Sequence, residues 1–229
     1  MSALRRDERG FTLVELLVAT TIGVGVLLAA GTLSVAFLHA STRVSDRSES
    51  VARGRTAMEQ IVQELRSQVC LGPGYPAVTY ASDNEVTFYA DLSDTTFVPQ
   101  QRDLTFANGQ LTETTYAGSV NSTGTGAPFT FSRTASTTRV VLDRMQLVGS
   151  TPFFRFYSFD GNDPVRPSNL LRTPLSASDL ARIVQISISF GALPSRGGGL
   201  SGQTAEPFQA NMYVRTADPS DPEHSPLCI

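Results

Sequence analysis

The chain has 229 residues, a formal net charge of -3 and 41% hydrophobic residues, which suffices for one ample domain with an appendage or for two small domains. The modest charge singles out neither nucleic acid nor acidic lipid as a partner, and all 18 basic residues are arginine, a bias from which no function follows. Two histidines, His39 and His224, and two distant cysteines, Cys70 and Cys228, make no metal-binding cluster.

From Phe11 to Leu38 the only charged residue is Glu15. As a helix this run extends roughly 42 Å, more than the ~30 Å of a bilayer's hydrocarbon core. A cleaved secretory signal has a basic start and an apolar core of about 7–15 residues ending in a small-residue site, whereas this run is longer and carries a charge near its start. A plain transmembrane anchor fits the length but leaves Glu15 unexplained, since a carboxylate in hydrocarbon is costly unless it is paired or near an interface.

Gly10, Phe11, Thr12, Leu13, Val14, Glu15, Leu16 and Leu17 ("GFTLVELL") resemble the N-terminus of type IV prepilins and type II secretion pseudopilins. In that family a membrane peptidase cuts after the glycine and methylates the new N-terminus. The glutamate at the fifth mature position meets a free amino terminus, commonly a neighbouring subunit's. The resemblance therefore implies a leader of Met1–Gly10, cleavage between Gly10 and Phe11, methylation of Phe11, and an assembly role for Glu15. An ammonium and a carboxylate meeting in apolar surroundings offset each other's burial cost, and an unpaired one penalises the wrong register. Arginines flank both ends of the span, so charge counting orients it weakly. The family implies a single pass through the cytoplasmic membrane with the remaining chain outside.

Beyond Leu38 the helix is expected to continue as an amphipathic segment over 39–71. Val44, Val51, Met58 and Leu65 recur at every seventh position, and Ile61, Val62 and Val69 widen the stripe. "GPGYP" (Gly72–Pro76) is the expected stop.

From 72 to 229 the pattern is that of β-structure. "EVTFYA" (Glu85–Ala90) alternates, and Asn108-Gly109 between two strand-like runs predicts a hairpin. Val120–Ala127 is a polar, Gly-rich loop. Arg139–Leu142 and Phe153–Phe159 are further strands, the second apolar on both faces and so central. "DGNDP" (Asp160–Pro164) turns, and Ser176–Ala181 forms a capped helical turn. Ile183–Phe190 places Val184, Ile186, Ile188 and Phe190 on a buried face and Gln185, Ser187 and Ser189 on a half-exposed one. Phe208–Arg215 repeats that alternation. The expected fold is α+β and pilin-like: a long N-terminal α-helix, its first half transmembrane, packed on a single, mostly antiparallel β-sheet domain. The later stretches "VVLDRMQLVGSTPFFRFYSFDG", "DLARIVQISISF" and "FQANMYVR" resemble, by pattern, the PilW-like minor pilins and J-type pseudopilins.

Catalytic chemistry has little support. His39 lies at the edge of the span and His224 in a Pro-rich tail, so neither suits a triad. "GGGLSG" (Gly197–Gly202) matches G-x-G-x-x-G but no helix opens after it, so it is a loop. "DGND" lacks the remainder of a calcium loop. Arg155 beside Tyr157 reads as a solvated strand face in place of a base-stacking platform. No enzyme activity, cofactor, metal or nucleic-acid partner is therefore expected.

The resemblance places the domain outside the membrane, where disulfides persist. A Cys70–Cys228 bridge would pin the tail to the end of the helix, with two free thiols as the alternative. The expected partners are the prepilin peptidase and methyltransferase, other pilin or pseudopilin subunits, and the cell membrane. The expected function is that of a minor pilin or pseudopilin. The rival is a singly anchored extracytoplasmic binding module that does not assemble.

Overall fold

The computed structural model describes residues 12–72, 74–91, 97–122, 126–159, 169–194 and 205–214. The chain forms two compact units, Met1–Asp46 and Arg47–Ile229. Helix α1 (Leu13–Arg66) is the long element expected. Its last part belongs to the second unit, where Ala57, Met58, Ile61 and Leu65 enter the core. The seven-residue stripe behaves as its composition suggests: Val44 is exposed, Val51 half-buried, and Met58 and Leu65 buried.

The helix ends at Arg66 and does not run to 71. Backbone pairing with a strand captures the chain before the glycines are reached. Gln68 forms a bridge with Ala90, and Val69 N–H donates to Tyr89 O at 2.9 Å.

Among the described residues the expected antiparallel β-domain consists of two five-stranded sheets and a two-stranded ribbon. The first sheet has the order β1-β2-β3-β4-β7 and is antiparallel throughout. Its strands are β1 (Val78–Ala81), β2 (Glu85–Ala90), β3 (Gln100–Ala107), β4 (Gln110–Tyr116) and β7 (Thr137–Leu142). The β3–β4 hairpin turns on Asn108 and Gly109, with φ of 52° and 72°. Two successive positive φ values define the type I′ turn that Asn-Gly favours. The ribbon joins β5 (Gly118–Val120) to β6 (Phe129–Phe131).

The second sheet runs β10-β9-β11-β12, with β8 also on β11. These are β8 (Met145–Gln146), β9 (Phe154–Ser158), β10 (Asn169–Leu171), β11 (Gln185–Ala192) and β12 (Glu206–Tyr213). Helix α2 (Ala177–Leu180) is the predicted capped turn: Asp179 N–H donates to Ser176 Oγ at 3.2 Å.

Strand β11 is buried at every position, so Gln185, Ser187 and Ser189 are not on a half-exposed face. It has neighbours on both sides, and Arg155 from β9 lies over Ser187. Strand β9 is interior, as expected, but alternates: Phe154 and Phe156 are buried, while Arg155 and Tyr157 are half-buried. One hydrophobic core draws on α1, on Val86, Phe88, Leu104 and Leu111 of the first sheet, and on Phe154, Phe156, Ile186 and Ile188 of the second. Phe153 links its parts, stacking on Phe106 at 4.8 Å and on Phe190 at 5.7 Å.

Candidate functional site

The N-terminal end of α1 is built on a reciprocal cap. Thr12 precedes the first helical residue, and Glu15 N–H donates to Thr12 Oγ1 at 3.3 Å. Thr12 N–H and Oγ1–H donate back to Glu15 Oε2 at 3.0 and 2.9 Å. This is the capping box of a Thr-x-x-Glu sequence, which satisfies helix donors left without an intrahelical acceptor. Glu15 thus has an intrachain partner that the charge argument overlooked, and the spacing of Thr12 and Glu15 was its signal.

Beyond the cap, α1 presents apolar side chains all round. Leu13, Leu16, Leu17, Leu27, Leu33 and Phe37 are each more than 60% exposed. The helix is long and apolar enough to cross a membrane, with a most apolar window of mean hydropathy 2.2 that its own chain leaves uncovered. The few hydroxyls in this stretch are turned inward. Thr20 and Thr21 donate to Leu17 O at 2.9 and 2.8 Å, Thr32 to Ala29 O at 2.9 Å, and Ser34 to Ala30 O at 2.9 Å. Back-bonding of this kind leaves no hydroxyl seeking water, the requirement for a helix surface in lipid.

Gly10 and Phe11, the predicted cleavage and methylation positions, lie outside the described residues. Cys70 is half-buried four residues beyond the helix end, Cys228 lies outside the described residues, and no free cysteine occurs among those described. His39 is exposed, whereas His224, Asp160–Pro164 and Gly197–Gly202 lie outside. Among the described residues no group of His, Cys, Asp or Glu is placed to hold a metal ion.

In the second unit, charged groups join α1 to the first sheet. Arg102 of β3 donates to Glu64 of α1 and, at 2.8 Å, to Glu113 of β4. Arg139 of β7 donates to the same two carboxylates. Arg102 also donates to Gln100 at 3.1 Å, and Gln60 can turn its amide oxygen to accept from Arg139. Burial, followed by a hydrogen bond with Glu113, raises Glu64 above the usual carboxylate range against the opposing pull of Arg102. Two carboxylates and two guanidiniums balance in charge, and losing one member would leave an unbalanced charge among the buried groups Glu64, Arg102 and Glu113. The cluster positions the helix and offers no nucleophile or acid–base pair facing a cleft.

The sequence reading missed this cluster, although part of it was legible. The Asn-Gly register sets Glu113 opposite Leu104, which places Glu113 and Arg102 on the apolar face of the hairpin. Glu64 carried no comparable signal, because its partners come from strands remote in sequence.

A family model of the prokaryotic N-terminal methylation motif matches residues 5–31, a stretch that includes Thr12, Glu15 and the start of the apolar helix. No curated protein matches the chain. This motif, at the head of an apolar helix leading into an antiparallel β-domain, is the N-terminal feature of type IV prepilins and pseudopilins, and the match supports a protein of that kind.

Proposed function

We propose that the chain is a minor pilin or pseudopilin. Prepilin peptidase removes Met1–Gly10, and Phe11 becomes the methylated N-terminus. Helix α1 then holds the protein in the cytoplasmic membrane with the β-domain outside, and the subunit packs with other pilin-type subunits into a pilus or pseudopilus. The observation that carries this reading is the methylation motif at the head of a helix whose apolar side chains its own chain leaves uncovered. Such a surface is stable only in lipid or against other helices. Within this reading Glu15 exchanges its cap contact with Thr12 for the amino terminus of a neighbouring subunit. The β-domain serves as outer surface or tip, and its later strands follow the PilW-like or J-type pattern. A Cys70–Cys228 bridge ties its tail to the end of α1, supported by the lack of a free cysteine among the described residues. The role is structural, without catalysis.

The Thr12–Glu15 contact favours one second reading. A glutamate satisfied within its own helix needs no neighbour, as in a singly anchored binding module that never assembles. Mass spectrometry of the protein from its native membrane, digested without reduction, separates the two. The expected products are N-methylphenylalanine at position 11 and a cross-linked pair of peptides containing Cys70 and Cys228. Gly10→Val should leave the precursor uncut. An intact Met1 leader on the native protein would overturn the pilin reading, and alkylation of Cys70 and Cys228 in the exported protein would overturn the bridge.

A further inference from the structure

The chain contains a single Asn-Gly pair, Asn108-Gly109. It makes the two-residue turn between β3 and β4, with Asn108 exposed and Ala107 paired with Gln110 across its base. Asparagine followed by glycine is prone to a spontaneous backbone reaction, because glycine has no side chain to shield its nitrogen. The glycine nitrogen gives up its proton and attacks Cγ of the asparagine. An N–Cγ bond forms, the bond from Cγ to Nδ2 breaks, and ammonia leaves. Water then opens the five-membered imide at one of its two carbonyls. Opening at Cγ yields aspartate. Opening at the backbone carbonyl yields isoaspartate, whose main chain runs through Cβ and Cγ.

The folded turn holds the reacting atoms apart. The ring consists of Gly109 N and the carbonyl carbon, Cα, Cβ and Cγ of Asn108. Closure therefore needs Gly109 N and Asn108 Cβ on the same side of the Cα–C bond. The φ values of 52° and 72° are those of a type I′ turn. The first central residue of such a turn has ψ of about +30°, the mirror image of type I. Cβ lies a third of a turn round from the residue's own nitrogen, so at this ψ the Gly109 nitrogen and Cβ are on nearly opposite sides.

The turn is also backed by β8. Met145 N–H donates to Gly109 O at 2.8 Å, and a Cβ added to Gly109 would lie 2.9 Å from Met145 O. Met145 is itself buried and paired with Ala192 of β11. Rotation about the Asn108 Cα–C bond swings Gly109, so ring closure requires release from Met145 and from the Ala107–Gln110 pairing.

We propose that Asn108 is a deamidation site that the fold keeps closed. The imide forms only in chains whose β3–β4 turn has come away from β8, so aspartate or isoaspartate at position 108 marks a chain that has opened there.

The test incubates the full chain in detergent at mildly alkaline pH, with and without enough urea to unfold it. Trypsin releases Asp103–Arg133, and fragment spectra locate the mass gain at Asn108. The reaction should be slower in the folded chain by about tenfold or more, since it draws only on the open fraction. Met145→Ala loosens β8 through a buried side chain and should speed the reaction without urea by about threefold or more. The comparison of folded with unfolded native chain stands whether or not that variant folds. Equal rates in the folded and unfolded native chain would overturn the proposal, as would no reaction at Asn108 in urea or an unchanged rate in Met145→Ala.

Discussion

Glu64 receives opposed influences at one atom group. Burial and the neighbouring Glu113 favour its protonated form, while Arg102 favours the ion. Burial prevails, so the folded chain holds the Glu64 proton to a higher pH than the unfolded chain does. Between those two values the folded state carries the extra proton, and stability falls as pH rises through that window. The contribution is complete below the ordinary carboxylate value and is lost as pH climbs past the raised one. Glu64→Gln keeps the shape and removes the titration. Urea unfolding midpoints of the two proteins, taken in steps from acid to neutral pH, should show the native chain losing stability relative to the variant over this window. A relative gain would mean that the two guanidiniums outweigh burial. Thr12 and Glu15 illustrate a separate point at the residue scale. A glutamate read as awaiting a partner is also the reciprocal half of a helix cap, and the two roles use the same oxygens.

Helix α1 comes close to β12 at Gly54, in addition to the ion pair of Arg47 with Glu206. A Cβ added to Gly54 would lie 2.2 Å from Phe208 Cε2, and Phe208 itself stacks on Phe190 at 5.5 Å. Gly54 therefore permits the contact, although glycine costs about 1 kcal/mol in a helix interior relative to alanine. Gly54→Leu must displace the ring and should lower stability by about 1–3 kcal/mol, read from the urea midpoint. Phe208→Ala in the same chain should recover part of that loss, and additive effects would show that the two residues do not compete for space. Elements specified by local chemistry were legible in sequence: α1 from its apolar run, the β3–β4 hairpin from Asn108-Gly109, and α2 from Ser176. Features set by distant chain were not. The end of α1 at Arg66 depends on β2 capturing residues 68 and 69, and the burial of Ser187 depends on Arg155. The division into two sheets likewise depends on which strands pair, which alternation alone leaves open. At the candidate site, the apolar surface and Glu15 were legible. The ion cluster was only half so, because Glu64 meets Arg102 and Arg139 only after the helix has docked.

At the scale of the whole molecule, helix α1 contributes to two units with different surfaces. From Leu16 to Leu38 its side chains are exposed and mostly apolar; beyond Arg47 it supplies Ala57, Met58, Ile61 and Leu65 to a core that also includes both sheets. Stability of the β-domain should therefore depend on the second stretch and not on the first. A chain beginning at Arg47 retains these four side chains, Glu64 and its arginine partners, and should unfold cooperatively in urea without detergent. A chain beginning at Ser67 loses two fully buried large side chains, Ile61 and Leu65, at about 2–5 kcal/mol each, and leaves Arg102 and Glu113 without Glu64. A loss of that size approaches or exceeds the whole stability of an ordinary domain, so this chain should show no cooperative transition. Glu15→Gln in the full chain is the complementary change. It lies in the first unit, so the unfolding midpoint of the β-domain should not move, and leader cleavage should survive. Recovery with sheared filaments or co-purifying pilins should fall, because the amide can keep a hydrogen bond to Thr12 but cannot neutralise an amino terminus. Unchanged recovery, in cells shown to incorporate the native protein, would leave the cap as the whole purpose of Glu15 and shift weight to an anchor that does not assemble.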